Sequence, residues 1–362
     1  MSHPTRTALA AALALFFAAT TSAQSLSVTT QPEFQTDDNP AKKPFNFTAY
    51  WDNDSKPLKP NNSRDRHYSH GLAISVAHQP DWAKNIAGFI DQITPLKSDL
   101  NELAIGYTAG QLFLTPEDIT ATELITDDRP YAGYLYAGIY LDRAKQDTNS
   151  HIATNDRFRL DLGVVGQISQ ADDFQQEIHD LIDSDFPAGW FNQLEDEPTI
   201  QFYYTRKWRI DIGQLSFNKP NTIDIIPQVG FALGTVHRNL NAALTVRAGL
   251  NLPNDFGPAS LAEPAAGLSI KRNPFYLYGF AKVSQQVVEH NMFLEGNNFT
   301  SSHSVDEKLL TAAATFGIAL AYELENLTLQ AAYSQTFQTD LFDGQAHGDE
   351  FASLTISLTC YY

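Results

Sequence analysis

Cysteine is almost missing from this chain. Cys360 is the one thiol among 362 residues, which excludes an internal disulfide framework and any multi-cysteine metal centre. Positive charge is scarce as well. The 24 Lys and Arg face 42 Asp and Glu, for a formal charge of −18. No long basic run occurs, so the clustered cations that neutralise nucleic-acid phosphates are lacking and no nucleic-acid partner is expected. Charged residues reach only 18% of the total, below the roughly one quarter usual in soluble domains. Beyond the N-terminal region no segment is apolar for long enough to cross a bilayer as a helix, which takes about 20 residues. Aromatic side chains are plentiful instead, at 12% of the chain, with 23 Phe, 15 Tyr and 4 Trp.

Arg6 precedes an apolar run from Ala8 to Ala19, which ends in the small residues Thr21-Ser22-Ala23. A basic start, a short apolar stretch and a small-residue exit describe a secretory signal peptide over residues 1–23. The mature chain, 24–362, is then either a secreted soluble protein or a single outer-membrane β-barrel domain.

The C-terminal third separates these two. Leu310, Ala312, Ala314, Phe316, Ile318, Leu320 and Tyr322 share one parity, and Thr311, Ala313, Thr315, Gly317, Ala319 and Ala321 share the other. Such sustained alternation is a long strand with one apolar face and one small or polar face. Leu327 to Tyr333 and Leu354 to Tyr362 repeat the pattern, and the chain ends on an aromatic residue. Strands of a soluble sandwich are commonly about five or six residues; strands of about ten residues with short turns fit a transmembrane barrel. Strands are expected near 45–51, 70–79, 100–108, 133–142, 156–165, 199–209, 222–234, 240–251, 274–286, 308–322, 326–337 and 351–362. The fold class is all-β, a twelve-stranded antiparallel transmembrane barrel, the even number that single-chain bacterial barrels show. Long connections at 53–69, 110–129 and 169–198 are expected on the extracellular side, and the third carries a helix over 171–182.

Gln175 and His179 lie four apart and so share a face of that helix, with Asp172, Asp173, Glu177, Asp180, Asp183 and Asp185 around them. Asn53-Asp54 closes the first strand and Asp65-Arg66-His67-Tyr68-Ser69-His70-Gly71 opens the second, on the same rim. Spacing alone favours the bland readings, a solvated histidine and a pair of Asx turns. An imidazole with an ordinary pKa near 6.5 can take a proton from water. A hard cation held by carboxylate and amide oxygens can polarise an ester carbonyl. Ser69 is open to two roles, polar support or nucleophile with His179 as base, although no nucleophile-elbow pattern surrounds it. His67, His70, His237, His290 and His347 are read as surface or lumen residues, and Trp190 as a headgroup-level residue.

Five stretches in this order carry a resemblance to a known family: Asn53-Asp54, then Asp65 to Gly71, then Asp128-Arg129-Pro130-Tyr131-Ala132-Gly133-Tyr134-Leu135, then Leu162-Gly163-Val164-Val165-Gly166, and finally Gln175, His179 and Gly189-Trp190-Phe191-Asn192-Gln193. The chain resembles the outer-membrane lipid A 3′-O-deacylases, most densely between Asn53 and Glu197. The resemblance implies a calcium-dependent esterase whose site opens laterally toward the outer leaflet and which removes the 3′-linked acyloxyacyl chain of lipid A. It implies that His179 is the general base and Gln175 its polar support. Asn53, Asp54 and Ser69 would build the calcium and oxyanion region, with Asp54 and Asp185 as metal ligands. Asp185 stands where the family carries Glu, and Ser69 where it carries Thr. The expected partners are lipopolysaccharide and outer-membrane lipid, with the protein a monomer. An outer-membrane phospholipase is the alternative in the same reaction class, and a channel or structural barrel the non-enzymatic one.

Overall fold

A computed structural model describes residues 43–54, 66–93, 102–146, 152–182, 184–214, 222–268 and 275–362. The expected signal peptide over 1–23, Asp65, Asp183 and most of the 53–69 connection lie outside the described residues. In chain order the elements are β1 (Pro44–Asn53), β2 (His67–His78), α1 (Ala83–Ile93), β3 (Glu102–Thr115), β4 (Ala132–Gln146), β5 (Ile152–Val165), α2 (Ala171–Ile182), β6 (Glu197–Gln214), β7 (Thr222–Gly234), β8 (His237–Leu250), β9 (Phe275–Asn291), α3 (Met292–Glu295), β10 (Leu310–Leu324), β11 (Leu327–Gln338) and β12 (Glu350–Tyr361). The strands form one closed antiparallel ring in which each pairs with its sequence neighbours and β1 pairs with β12. Pro44 stands opposite Tyr361, and Asn53 opposite Ala352. All twelve expected strands are present, mostly longer at their ends than the alternation indicated, because a hydrogen-bonded ladder continues past the point where the apolar pattern stops.

Closure divides every strand between two environments. Phe316, Ile318, Leu320 and Tyr322 of β10 are exposed on the outside, as are Ile356 and Leu358 of β12, whereas Thr355 and Ser357 are buried toward the lumen. This is the lipid-out, polar-in alternation of a membrane barrel.

The lumen is filled. Two long connections leave the rim that carries the chain ends, and neither hangs free. The β8–β9 connection folds back inside, where Arg157 and Arg159 donate to the Pro264 and Ala262 carbonyls at 2.5 and 3.1 Å. Tyr140 donates to the Ala265 carbonyl at 2.8 Å. Glu263 of this loop accepts from Lys207 at 2.6 Å, Lys282 at 3.1 Å and Gln228 at 2.7 Å. Arg247 reaches Asp255 of the loop and holds Asp224 of β7 through two bonds of 2.9 and 2.6 Å. Sequence alternation carries no sign of this plug, since Leu252 to Leu268 reads as a Pro-rich polar connection. The β2–β3 connection contains α1, which alternation likewise missed, and α1 packs on the outer wall. At the opposite rim, hereafter the far rim, Met292 and Phe293 of α3 close the lumen against Tyr134, Tyr136, Val165 and Val236.

Arg247 is fully buried and Asp224 nearly so, so loss of one partner strands the other charge. Arg247→Leu is expected to destabilise the folded barrel by about 3–5 kcal/mol, and Arg247→Leu with Asp224→Leu and Asp255→Asn by much less. Denaturant unfolding in lipid vesicles checks both; equal destabilisation in the two variants would contradict this account of the lumen.

Candidate active site

β2 does not pair evenly with β3. His67 faces Thr115 and Tyr68 faces Leu114, but His70 faces Phe113, so Ser69 is the extra residue of a β-bulge. A bulge re-aims the side chain it adds. Ala104 of β3 packs against Phe256 and Leu268 of the inner loop, so the odd positions of β3 point outward. Ser69 Oγ lies 2.7 Å from Thr115 Oγ1, and the His70 ring stacks on Phe113 at 5.4 Å. Both neighbours are on the outer wall. Asn53, the last residue of β1, donates through Nδ2 to the Ser69 carbonyl at 3.1 Å and to His70 Nδ1 at 3.1 Å. Asp54 is buried, and its Oδ2 accepts the Arg66 backbone N–H.

α2 lies against this same wall. Gly133 makes room for it: a Cβ there would stand 2.1 Å from Ser169 Oγ and 2.5 Å from Ala171 Cβ. Ala171, Gln175 and His179, spaced four apart, form the buried stripe of the helix, and Phe174 packs on Phe113 at 5.7 Å. Phe113 therefore lies between the Asn53–Ser69–His70 group and the helix. After α2 the chain turns back, with the Ser184 N–H on the His179 carbonyl at 3.0 Å. The Asp185 carbonyl then sits 2.5 Å from His179 Nδ1. A carbonyl only accepts, so Nδ1 carries the proton and Nε2 is the acceptor nitrogen. Asp185 thus serves His179 through its backbone, and its side chain is exposed. Gln175 Oε1 accepts from Trp190 Nε1 at 2.7 Å. Trp190 packs on Tyr131 at 4.9 Å, and Tyr131 donates to the Ile119 carbonyl at 3.0 Å.

Several sequence expectations need correction. Trp190 is 3% exposed, too enclosed for a headgroup position, because the indole is the peg on which the Gln175 amide rests. α2, in the connection expected on the extracellular side, lies along the outer wall. His67 is also buried: its Nδ1 lies 2.6 Å from Asp349 and its Nε2 3.3 Å from Asp128. It thereby ties the β3–β4 and β11–β12 connections to the strand that presents Ser69. Burial pushes the Asp128 carboxyl up, but His67 and the backbone N–H groups of Glu117 and Arg129 outweigh it and hold the carboxyl below its usual range. His290 is buried beside Glu295. The partners of His67 come from loops far away in sequence, which is why spacing missed them.

Beside the imidazoles of His70 and His179, the donors offered near α2 and the bulge are oxygens: the Asp54 carboxylate, the Asn53 amide, the Ser69 hydroxyl and nearby carbonyls. Among the described residues no group of three or more His, Cys, Asp or Glu side chains converges on a metal position. The donor chemistry fits a hard cation that completes its shell with amide, hydroxyl, carbonyl and water oxygens, and does not fit zinc.

A closed strand ring with an apolar outer band, and a buried imidazole on a helix docked to that band, defines an integral outer-membrane barrel whose polar site faces the lipid. The chain belongs to the family described as outer membrane protein LpxR, whose model matches residues 9–360. It is therefore an outer-membrane hydrolase of the lipid A 3′-O-deacylase family. LpxR from Salmonella typhimurium shares the fold, with a TM-score of 0.65 and 17% identity over 88% of this chain and 100% of that one. The translocator domain of the autotransporter NalP from Neisseria meningitidis, at TM-score 0.48 and 6% identity over 89% of each chain, is a more distant barrel. No curated protein sequence matches the chain.

Trp190→Phe keeps the packing but deprives the buried Gln175 carbonyl of its donor. It is expected to cost about 1–3 kcal/mol locally, seen as faster amide exchange in α2 with the strands unchanged. A second expectation concerns Glu307 in the β9–β10 connection, whose carboxyl burial and the nearby Glu295 and Glu289 push up to about 7. The folded protein holds that proton more tightly, so the stabilisation is full below 4.5 and is lost as pH rises through about 7. Glu307→Gln should therefore raise the melting temperature above neutrality and make little difference near pH 5, where both side chains are uncharged. Melting curves of the two proteins at both pH values test this.

Proposed function

We propose that this chain hydrolyses the 3′-linked acyloxyacyl ester of lipid A by calcium-dependent attack of water, with His179 as the general base. The observation that carries this reading is the bond from His179 Nδ1 to the Asp185 carbonyl. It sets the tautomer whose Nε2 can accept a proton, and burial holds the ring in one orientation. Gln175, fixed by Trp190 one helical turn away, keeps that helix face polar beside the imidazole.

Water attacks the ester carbonyl carbon as His179 Nε2 takes its proton, and the proton then passes to the 3′ oxygen as the carbon–oxygen bond breaks. The Asn53 amide and the Ser69 hydroxyl are the neutral polar groups for the oxyanion side. Ser69 is read as support and not as nucleophile, because its hydroxyl is engaged with Thr115. Asp54 would hold the calcium ion, with Asp185 as the second carboxylate and the remaining ligands neutral oxygens. When bound, calcium supplies positive charge to polarise the ester carbonyl.

The surroundings suit an acyl substrate arriving sideways from the membrane. Ile168, Leu181, Phe186 and Phe191 are exposed around α2, and a contiguous apolar surface beside a polar site suits acyl chains. The far rim then faces the outer leaflet. This agrees with the short connections at 147–151, 215–221 and 325–326 on the rim of the chain ends, since short turns are periplasmic in such barrels.

Mass spectrometry of lipid A from cells expressing the chain tests the reading. Wild-type protein should remove one 3′-linked acyloxyacyl mass in the presence of calcium and leave it in the presence of chelator. His179→Ala should lower the rate about 100-fold or more. Unchanged lipid A with folded wild-type protein in the outer membrane would overturn the substrate, and fatty acid release from phospholipid vesicles lacking lipid A would replace it. Full activity of His179→Ala would overturn the base.

A further inference from the structure

The second long connection at the rim of the chain ends carries a feature that the hydrolytic site does not use. α1 lies on the outside of the barrel. Its residues Ala83 and Ile90 pack with Ile105 of β3 and Leu141 of β4, flanked by Leu103 and Phe158. Ile105 pairs with Leu141, and Leu141 with Phe158. These are outward positions, because their neighbours Ala104 and Asp142 face the inner loop and the lumen arginine Arg157. Arg143, an outward-facing cation opposite Asp156 of β5, is completely buried and paired with Asp91 of the helix.

At 3.6 residues per turn, successive side chains are about 100° apart. Ala83, Ala87 and Ile90 then fall within a sector of about 60°, and all three are buried. Ile86 and Phe89 fall in the adjoining sector, also about 60° wide, and are 37% and 59% exposed, with Trp82 of the turn leading into the helix 44% exposed. Lys84, Asn85, Asp91 and Gln92 occupy the opposite side. The apolar arc is therefore wider than the barrel wall covers. At this end of the barrel the lipid-facing band includes Phe45 of β1 and Tyr107 of β3, 41% and 40% exposed, on either side of His78 at the end of β2. The start of the helix is tied to the strand ring by Lys43 and Asp81 at 2.9 Å.

We propose that α1 is an interfacial membrane helix: it lies in the periplasmic leaflet with Trp82, Ile86 and Phe89 among the acyl chains of glycerophospholipids and with its polar side at the headgroups. An amphipathic helix with Trp and Phe on its apolar face takes this position at a bilayer boundary. The occupant follows from continuity. The apolar stripe of α1 extends the same outer surface that the strands present to lipid, at the end of the barrel where the hydrocarbon gives way to headgroups. The inference depends on the barrel and its membrane, and not on the hydrolytic mechanism.

The test uses the full chain reconstituted in vesicles of phosphatidylethanolamine and phosphatidylglycerol with brominated acyl chains. The emission of Trp82 is taken as the difference between wild type and Trp82→Phe. A companion variant, Phe89→Trp in the Trp82→Phe background, reports on the next turn. Bromines near the headgroup end of the chains should lower both signals at least about twofold, and aqueous acrylamide should quench them little. Strong acrylamide quenching with no effect of bromine at either position would overturn the proposal and leave α1 as a surface for water or for a protein partner.

Discussion

Closure of the backbone ladder is the constraint on which everything else depends. In hydrocarbon a peptide group without a partner costs several kcal/mol, and only a helix or a closed sheet avoids that cost. Pairing of β1 with β12 removes the last edge. Once the ring is closed, side-chain alternation has only one solution. Apolar residues such as Phe316 and Ile356 meet lipid, and the polar parity, from Thr355 to Arg247, is confined inside. The confined charges must then neutralise one another. Arg157 with Asp142, Arg159 with Asp161 and Arg247 with Asp224 do so within the wall, while Lys207 and Lys282 find Glu263 on the inner loop. The plug and the wall are thus two halves of one charge balance.

The same division explains why the site lies where it does. A polar constellation on the lipid side of a barrel is costly unless something covers it. Here the bulge at Ser69 turns a hydroxyl outward, Asn53 closes over its carbonyl, and α2 lies across the neighbouring wall through Phe113 and Gly133. The cover is itself braced. Trp190 and Tyr131 join the β3–β4 and β5–β6 connections, and His67 clasps Asp128 of the former and Asp349 of the β11–β12 connection. The imidazole of His179 is consequently positioned by loops that close on one another at the far rim, with the rigid ring beneath them.

At the opposite rim α1 solves a related problem. Arg143 points outward near the end of β4, and a helix whose Asp91 reaches it makes that position tolerable. The two helices that lie on the outer wall therefore have a common physical logic: each covers polar groups that the alternation leaves on the lipid side, and each turns apolar residues toward the bilayer.

Much of this was legible in the linear sequence. Period-two alternation in stretches such as 310–322 and 354–362 is a local property, so strand number, class and the polarity of each face could be read directly. The four-residue spacing of Gln175 and His179 likewise placed both on one face of a helix. What tertiary structure alone decided has a common cause, which is that it depends on partners distant in sequence. The bulge that turns Ser69 outward exists only in the register of β2 against β3. The use of the Asp185 backbone, and not its carboxylate, to hold His179 depends on the turn after α2. The folding of residues 251–268 into the lumen brings Glu263 to Lys207 of β6 and Lys282 of β9, and burial of His67 and Trp190 follows from loops that meet only when the ring has closed.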